Sequence, residues 1–293
     1  MPRAVGAGLA LALAGAVLFS AKAVIVKLAY RHGVDAVTLI MYRMLFPLPL
    51  FIGLAWWAGR GKPALTAADW RAVLGLGFCG YYLASLLDFL GLQHISASLE
   101  RLILYLNPTL VLLLAALVHG RRVTARQGLA LAVSYAGVLL VFGHEARFTG
   151  PASWLGAALV FGSALSYAVY LTASAQVVQR LGSLRLTGWA TSVACLLCIG
   201  QFVLLRPLST AVVPEPVFWL SLVNGIACTF CPVLMVMMAV ERVGATLAAQ
   251  AGMVGPLSTL ALGALLLGEP LNAWIGAGTA LVLAGVWLLA RWR

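Results

Sequence analysis

Ten apolar stretches, each close to the length of a bilayer-crossing helix, follow one another through this chain with short polar breaks between them, near 5–29, 35–58, 70–92, 96–118, 126–143, 152–175, 185–205, 216–239, 245–267 and 273–290. Roughly 20 apolar residues cover the hydrocarbon core. In that medium every backbone N–H and C=O has to be satisfied inside its own segment, which a helix does. The fold class predicted is therefore an all-α membrane protein with ten transmembrane helices. Only 9% of the 293 residues are charged, against about a quarter in soluble domains. The first stretch, with Arg3 before it and Ala21-Lys22-Ala23 near its end, imitates a signal peptide. Its apolarity continues through Val24, Ile25 and Val26, so it reads as an uncleaved membrane helix.

A net charge of +11 raises the question of nucleic acid, yet the basic residues form no contiguous stripe for phosphates. Their distribution follows loops instead. With the N-terminus inside, Arg3, Arg60, Lys62, Arg71, Arg121, Arg122, Arg126, Arg180, Arg185, Arg242, Arg291 and Arg293 fall on the inner loops and ends, and only Lys27, Arg31, Arg147 and Arg206 on the outer ones. Cytoplasmic loops carry the excess of Lys and Arg, so both termini are expected in the cytoplasm. An even helix count agrees. The bilayer is then a partner and nucleic acid is not.

The stretch at 104–120, LYLNPTLVLLLAALVHG, has a counterpart 148 residues later at 252–268, GMVGPLSTLALGALLLG. At that offset Pro108 matches Pro256, Gly120 matches Gly268, Gly128 matches Gly276, and Gly137-Val138 matches Gly285-Val286. Two homologous five-helix halves, 1–148 and 149–293, account for this register. Five is odd, so the second half enters the membrane from the opposite face. An inverted repeat around a central cavity implies alternating access, and paired Pro- or Gly-interrupted helices point to its site. Pro108 deprives the Leu104 carbonyl of its helical donor, and Pro256 does the same to Gly252. Those carbonyls should face protein or a water-filled cavity, which makes the two prolines candidate hinges.

Ser96-Ala97-Ser98 through Pro108 to His119-Gly120, and Gly244-Ala245 through Pro256 to Leu267-Gly268-Glu269-Pro270-Leu271, resemble the EamA family of the drug/metabolite transporter superfamily. In the first half the turn reads His119-Gly120-Arg121-Arg122 and lacks the acid. The resemblance implies a basket of helices with a central cavity, no obligatory cofactor, and export of a small metabolite across the bacterial inner membrane. Some members of similar size export aromatic or other amino acids. Another metabolite, a drug-like solute or a facilitative channel are the alternatives, and a monomer is the expected form.

Several polar residues are placed to meet a solute. Ser163, Ser166, Tyr167, Tyr170 and Ser174 share one face of the sixth stretch; such a face either lines a cavity or packs closely against another helix. Tyr81, Ser85 and Asp88 share a face of the third with Tyr82 beside it, Tyr105 adjoins the first proline, and Thr229 and Gln250 are softer candidates. Lys22, Arg43, Asp88, Glu100 and Arg101 are charges inside apolar stretches. Arg43 is the deepest, about 12 Å from the outer surface at the α-helical rise, where a charge is costly without partners or water. Lys22, Asp88, Glu100 and Arg101 lie shallow enough to snorkel; alternatively the group lines an outward vestibule in which Arg43 orients a solute carboxylate while Asp88 or Glu100 takes its amine or pairs with Lys22 and Arg101.

An enzyme is not expected. His32, His94, His119 and His144 lie near helix ends without metal-ligand spacing, and the two C-x2-C pairs, Cys195/Cys198 and Cys228/Cys231, sit in apolar runs without the polar shell metal ligands need.

Overall fold

The computed structural model of the chain describes residues 2–119, 123–149, 152–252 and 254–291, and every regular element among them is helical. The first stretch is one helix, α1 (Pro2–Tyr30). Asp35 then caps α2 (Ala36–Leu45), accepting from the amides of Val37 at 3.0 Å and Thr38 at 3.3 Å. A 42° bend leads into α3 (Leu48–Gly59). Pro47 sits at that bend. It has no N–H, which ends the ladder and strips the Arg43 carbonyl of its donor. A Thr66/Asp69 capping box opens α4 (Ala67–Gly77), which passes through a π-turn at Phe78–Leu83 into α5 (Ala84–Leu92).

The fourth stretch is broken into α6 (Ala97–Leu104) and α7 (Asn107–His119), followed by α8 (Ala125–Thr149), α9 (Ala152–Leu181) and α10 (Ser183–Leu205). A second π-turn, Ile226–Phe230, joins α11 (Glu215–Gly225) to α12 (Cys231–Gly252). Then come α13 (Gly255–Leu262), continued by a π-turn to Leu267, and α14 (Ala273–Arg291).

Among the described residues eight helical spans are long and apolar enough to cross a membrane, the bent pair α2/α3 makes a ninth, and Gly255–Leu267 is a shorter apolar helix. The predicted boundary between the eighth and ninth stretches falls inside α12, whose helical backbone runs on to Gly252. The chain nevertheless reverses nearby. Positions beside Gly15 and Gly8 on α1 are taken by Met235 and Val243 in turn, whereas Gly255 comes back to Ser20.

The two halves are inverted in the packing itself. A Cβ at Gly137 would meet the Gly278 carbonyl and Val282, and a Cβ at Gly285 would meet the Ala130 carbonyl and Ser134. Adding 148 to 137, 130 and 134 gives 285, 278 and 282. Each contact has its mate across a pseudo-two-fold axis, and α8 and α14 run antiparallel. Parallel repeats cannot bring equivalent helices together in that sense. The π-turns share the register, since Phe78 and Ile226 both open one.

Exposed tryptophans bracket the apolar exterior: Trp56, Trp57 and Trp70 beside the Lys62 loop, and Trp154, Trp219 and Trp274 toward the opposite, Asp35 end. Indole rings gather at membrane interfaces in this way. The molecule is a multi-pass membrane protein. Its largest core, which includes Val24, Val26, Leu39, Met44, Phe51, Phe89 and Cys195, lies among α1, α2, α3, α5 and α10.

Candidate functional site

Of the five intramembrane charges, Lys22, Asp88 and Glu100 close on one another instead of opening to a vestibule. Lys22 on α1 places Nζ 2.5 Å from Asp88 Oδ2 on α5 and 3.1 Å from Glu100 Oε1 on α6. Lys22 is 7% exposed, Asp88 2% and Glu100 0%. The lysine stem is long enough to reach both acids from a third helix, so one ammonium serves two carboxylates. Arg43, 5% exposed, is treated differently. Its Nε donates to Thr229 Oγ1 at 3.1 Å and its Nη1 to Ser85 Oγ at 3.3 Å, and the guanidinium lies 5.1 Å from the Phe89 ring centroid. Among the described residues no carboxylate pairs with Arg43.

Arg101 and Tyr105 bind the two broken helices together. Arg101 Nη2 donates to Ser20 Oγ at 3.0 Å, and Ser20 donates to the Gly255 carbonyl at 2.9 Å. The Tyr105 hydroxyl donates to the Gly252 carbonyl, the one that Pro256 frees. In the other half the Leu104 carbonyl freed by Pro108 accepts from Asn107 Nδ2 at 2.8 Å. Both prolines sit in the first turn of a restarted helix, where the missing N–H costs nothing, so the helices are interrupted and not merely kinked. Gln250 lies on α12, and its side chain is outside the described residues.

The tyrosines form a second group. The Tyr81 hydroxyl is 3.3 Å from that of Tyr170, with the rings edge-on at 5.1 Å, and Tyr167 stacks on Tyr170 at 5.5 Å. They pack with Val73, Leu76, Leu181 and Leu186 toward the Lys62 end, apart from the charge cluster. Tyr82 packs against Phe78 instead and joins the core around α1. The serine face of α9 serves the neighbouring π-turn: Ser166 donates to the Cys79 carbonyl at 2.8 Å and Ser163 to the Ala84 carbonyl at 2.7 Å. In the other half the Thr229 hydroxyl, 148 residues from Tyr81, donates to the Asn224 carbonyl at 2.9 Å. A π-turn frees carbonyls, and these hydroxyls satisfy them.

A cavity of about 1200 Å³ opens at the Asp35 end, lined by residues including Lys27, Arg31, Ser96, His144, Glu145 and Glu269. None of the side chains chosen from the sequence lines it. Glu145 accepts from the Ser96 amide at 2.7 Å, and Glu269 accepts from the Ala97 amide at 2.8 Å and the Ser98 hydroxyl at 2.5 Å. Two carboxylates, one from each half, therefore hold the N-terminus of α6, where the helix dipole favours them. The capping serine immediately before the helix, accepting from the Leu99 amide, was the available signal; which acids reach it depends on tertiary packing. At the cavity rim Asp35 pairs with Arg206 at 3.1 Å. Burial raises the Asp35 carboxyl, but the Thr38 hydroxyl, Arg206 and the Thr38 amide outweigh it and hold it below its ordinary value.

The sequence profile of the EamA-like transporter family matches residues 6–143 and again residues 154–291. An uncharacterised transporter of Bacillus subtilis, YcbK, is 32% identical over 278 residues, covering 92% of this chain and 88% of its own. An uncharacterised transporter of Archaeoglobus fulgidus is 26% identical over 230 residues, covering 77% and 79%. A crystal structure 20% identical in sequence superposes with a TM-score of 0.65 over 98% of both chains, a likeness of fold.

Proposed function

This chain belongs to the EamA-like transporter family, a family of small-solute carriers, and from that premise we propose that it exports an amino acid with an aromatic or other apolar side chain across a bacterial inner membrane by alternating access. Arg43 carries the reading: a buried guanidinium held by two neutral hydroxyls and a ring, with no carboxylate partner among the described residues. A charge at that depth is costly until an anion meets it, and the planar fork suits a carboxylate bidentately. Lys22 does not compete, being already paired with two acids. Those acids keep oxygens without a donor, Asp88 Oδ1 and Glu100 Oε2, as an ammonium requires. Phe89 beside Arg43 offers the aromatic surface.

The inverted packing supports an access route of this kind. In this reading the cavity at the Asp35 end is the open mouth of the path, and the excess of basic residues on the other loops orients that end outward, with both termini cytoplasmic. Rocking one half against the other would exchange this opening for one at the Lys62 end, with Pro108 and Pro256 at the joints. Counterflow in proteoliposomes tests the reading: unlabelled phenylalanine inside should accelerate uptake of labelled phenylalanine. A channel would show no such acceleration, and exchange of cationic amines in preference to amino acids would remove the role given to Arg43.

A further inference from the structure

Two carboxylates around one ammonium leave a surplus negative charge. Asp88 and Glu100 both reach Lys22, from α5 and α6. The guanidinium groups nearest them are turned elsewhere, Arg43 to Thr229, Ser85 and the Phe89 ring, Arg101 to Ser20 and the Tyr105 ring. The other charges packed around α6 hold its first turn: Glu145 from α8 and Glu269 beyond α13 take the Ser96, Ala97 and Ser98 donors, and Lys27 from α1 takes the Leu92 and Ile95 carbonyls. Asp88 Oδ1 and Glu100 Oε2 are buried without a hydrogen-bond partner. Ionised carboxylates only accept, so the two acids cannot satisfy one another unless something is added between them.

We propose that Asp88 and Glu100 share a single proton, and that this proton is the coupling ion, given up when the ammonium of the solute takes its place. The proposal rests on the carrier reading above. The exchange balances. With the proton bound, Lys22, two carboxylates and one O–H sum to zero charge. When R–NH3+ enters, its N–H groups take the carboxylate oxygens, the O–H bond breaks, the proton leaves to water, and the sum is again zero. On the opposite face a proton re-forms the O–H bond and the ammonium departs. The site is also placed to be felt by the joints. Arg101 follows Glu100 directly, and Tyr105 lies little more than one helical turn further; these two residues hold Ser20 and the Gly252 carbonyl.

Infrared spectroscopy of the purified, solute-free protein at neutral pH reads the proton directly. The wild type should show the C=O band of a buried protonated carboxyl, shifting in D2O. Glu100→Gln and Asp88→Asn should each abolish it, because the remaining acid is then matched one-to-one by Lys22, while Glu145→Gln leaves it in place. Persistence of the band in either site variant overturns the shared proton. Its loss when sodium chloride replaces choline chloride assigns the place to sodium instead. In proteoliposomes holding a pH dye, a phenylalanine gradient should drive one proton in the opposite direction per phenylalanine, and phenylalanine movement without proton movement overturns the coupling. Absence of phenylalanine exchange alongside an intact infrared band would remove the amino-acid reading and leave the proton site standing.

Discussion

Gly137 and Gly285 occupy equivalent places in one antiparallel crossing, each against the backbone of the other half: a Cβ on Gly137 would lie 2.6 Å from the Gly278 carbonyl, and one on Gly285 2.7 Å from the Ala130 carbonyl. Backbone cannot retreat as a side-chain tip can, so alanine at either position should force α8 and α14 apart. Overpacking of this kind costs about 1–3 kcal/mol. Gly128 and Gly276, matched at the same offset, have nothing within 4 Å of an added Cβ, and alanine there should be neutral or stabilising by roughly 0.5–1 kcal/mol. Thermal unfolding in detergent should separate the two pairs; equal shifts for all four variants would mean that the crossing is looser than this packing.

Lys22→Met removes the only cation within ion-pair distance of Asp88 and Glu100 among the described residues. Breaking a buried pair from one side costs about 3–5 kcal/mol, because the charge left behind has no solvent. Lys22→Met combined with Asp88→Asn and Glu100→Gln leaves no charge to strand and should recover much of that loss. Denaturant unfolding of the single and triple variants measures this. A triple variant no more stable than the single one would show that Lys22 contributes through packing.

How much was legible depended on whether a residue's role is local or tertiary. Apolar length revealed the spans, and the glycine and proline register revealed the halves, because small residues and missing donors constrain a helix wherever it packs. The same register could not distinguish Gly137 from Gly128, since only the neighbouring helix decides which glycine is crowded. The π-turns at Phe78 and Ile226 escaped notice because an extra residue in a helical turn leaves no composition signal, although Gly77 and Gly225 stand before both. Charge inside apolar stretches pointed to Lys22, Arg43, Asp88 and Glu100. That Lys22 reaches both acids, that Ser163 serves the Ala84 carbonyl, and that Glu145 and Glu269 hold α6 follow from how the helices are arranged.

Asp35 should make stability depend on pH at the acid end. Its carboxyl is held below the ordinary value by Thr38 and Arg206 against the opposing effect of burial. A depressed acid contributes stability that is fully present above its unfolded pKa, about 3.9, and is lost as pH falls through its lower folded value. Asp35→Asn retains a side-chain cap but not the Arg206 pair, so the drop in melting temperature below about pH 4 should shrink in that variant. Above pH 6 the two proteins should differ by a constant offset; a gap that widens between pH 6 and 8 would implicate another group.

The joint between the broken helices should govern turnover more than recognition. Tyr105 supplies the donor that Pro256 denies the Gly252 carbonyl, and Asn107 does so for Leu104 beside Pro108. Tyr105→Phe keeps the ring and strands a part-buried carbonyl, at a cost of about 1 kcal/mol in whichever conformation makes the bond. If the bond holds the two halves only in this conformation, its loss moves the balance between conformations without altering the Arg43 fork. Pro256→Ala acts in the opposite sense, restoring a backbone donor to Gly252 and continuity to the helix. Both variants should therefore lower or raise the exchange rate severalfold while changing the half-saturating phenylalanine concentration much less. Tyr105→Phe should have little further effect in a Pro256→Ala background, because the Gly252 carbonyl then already has a backbone partner. Strict additivity of the two effects in proteoliposome exchange would show that Tyr105 and Pro256 do not act on the same carbonyl during transport.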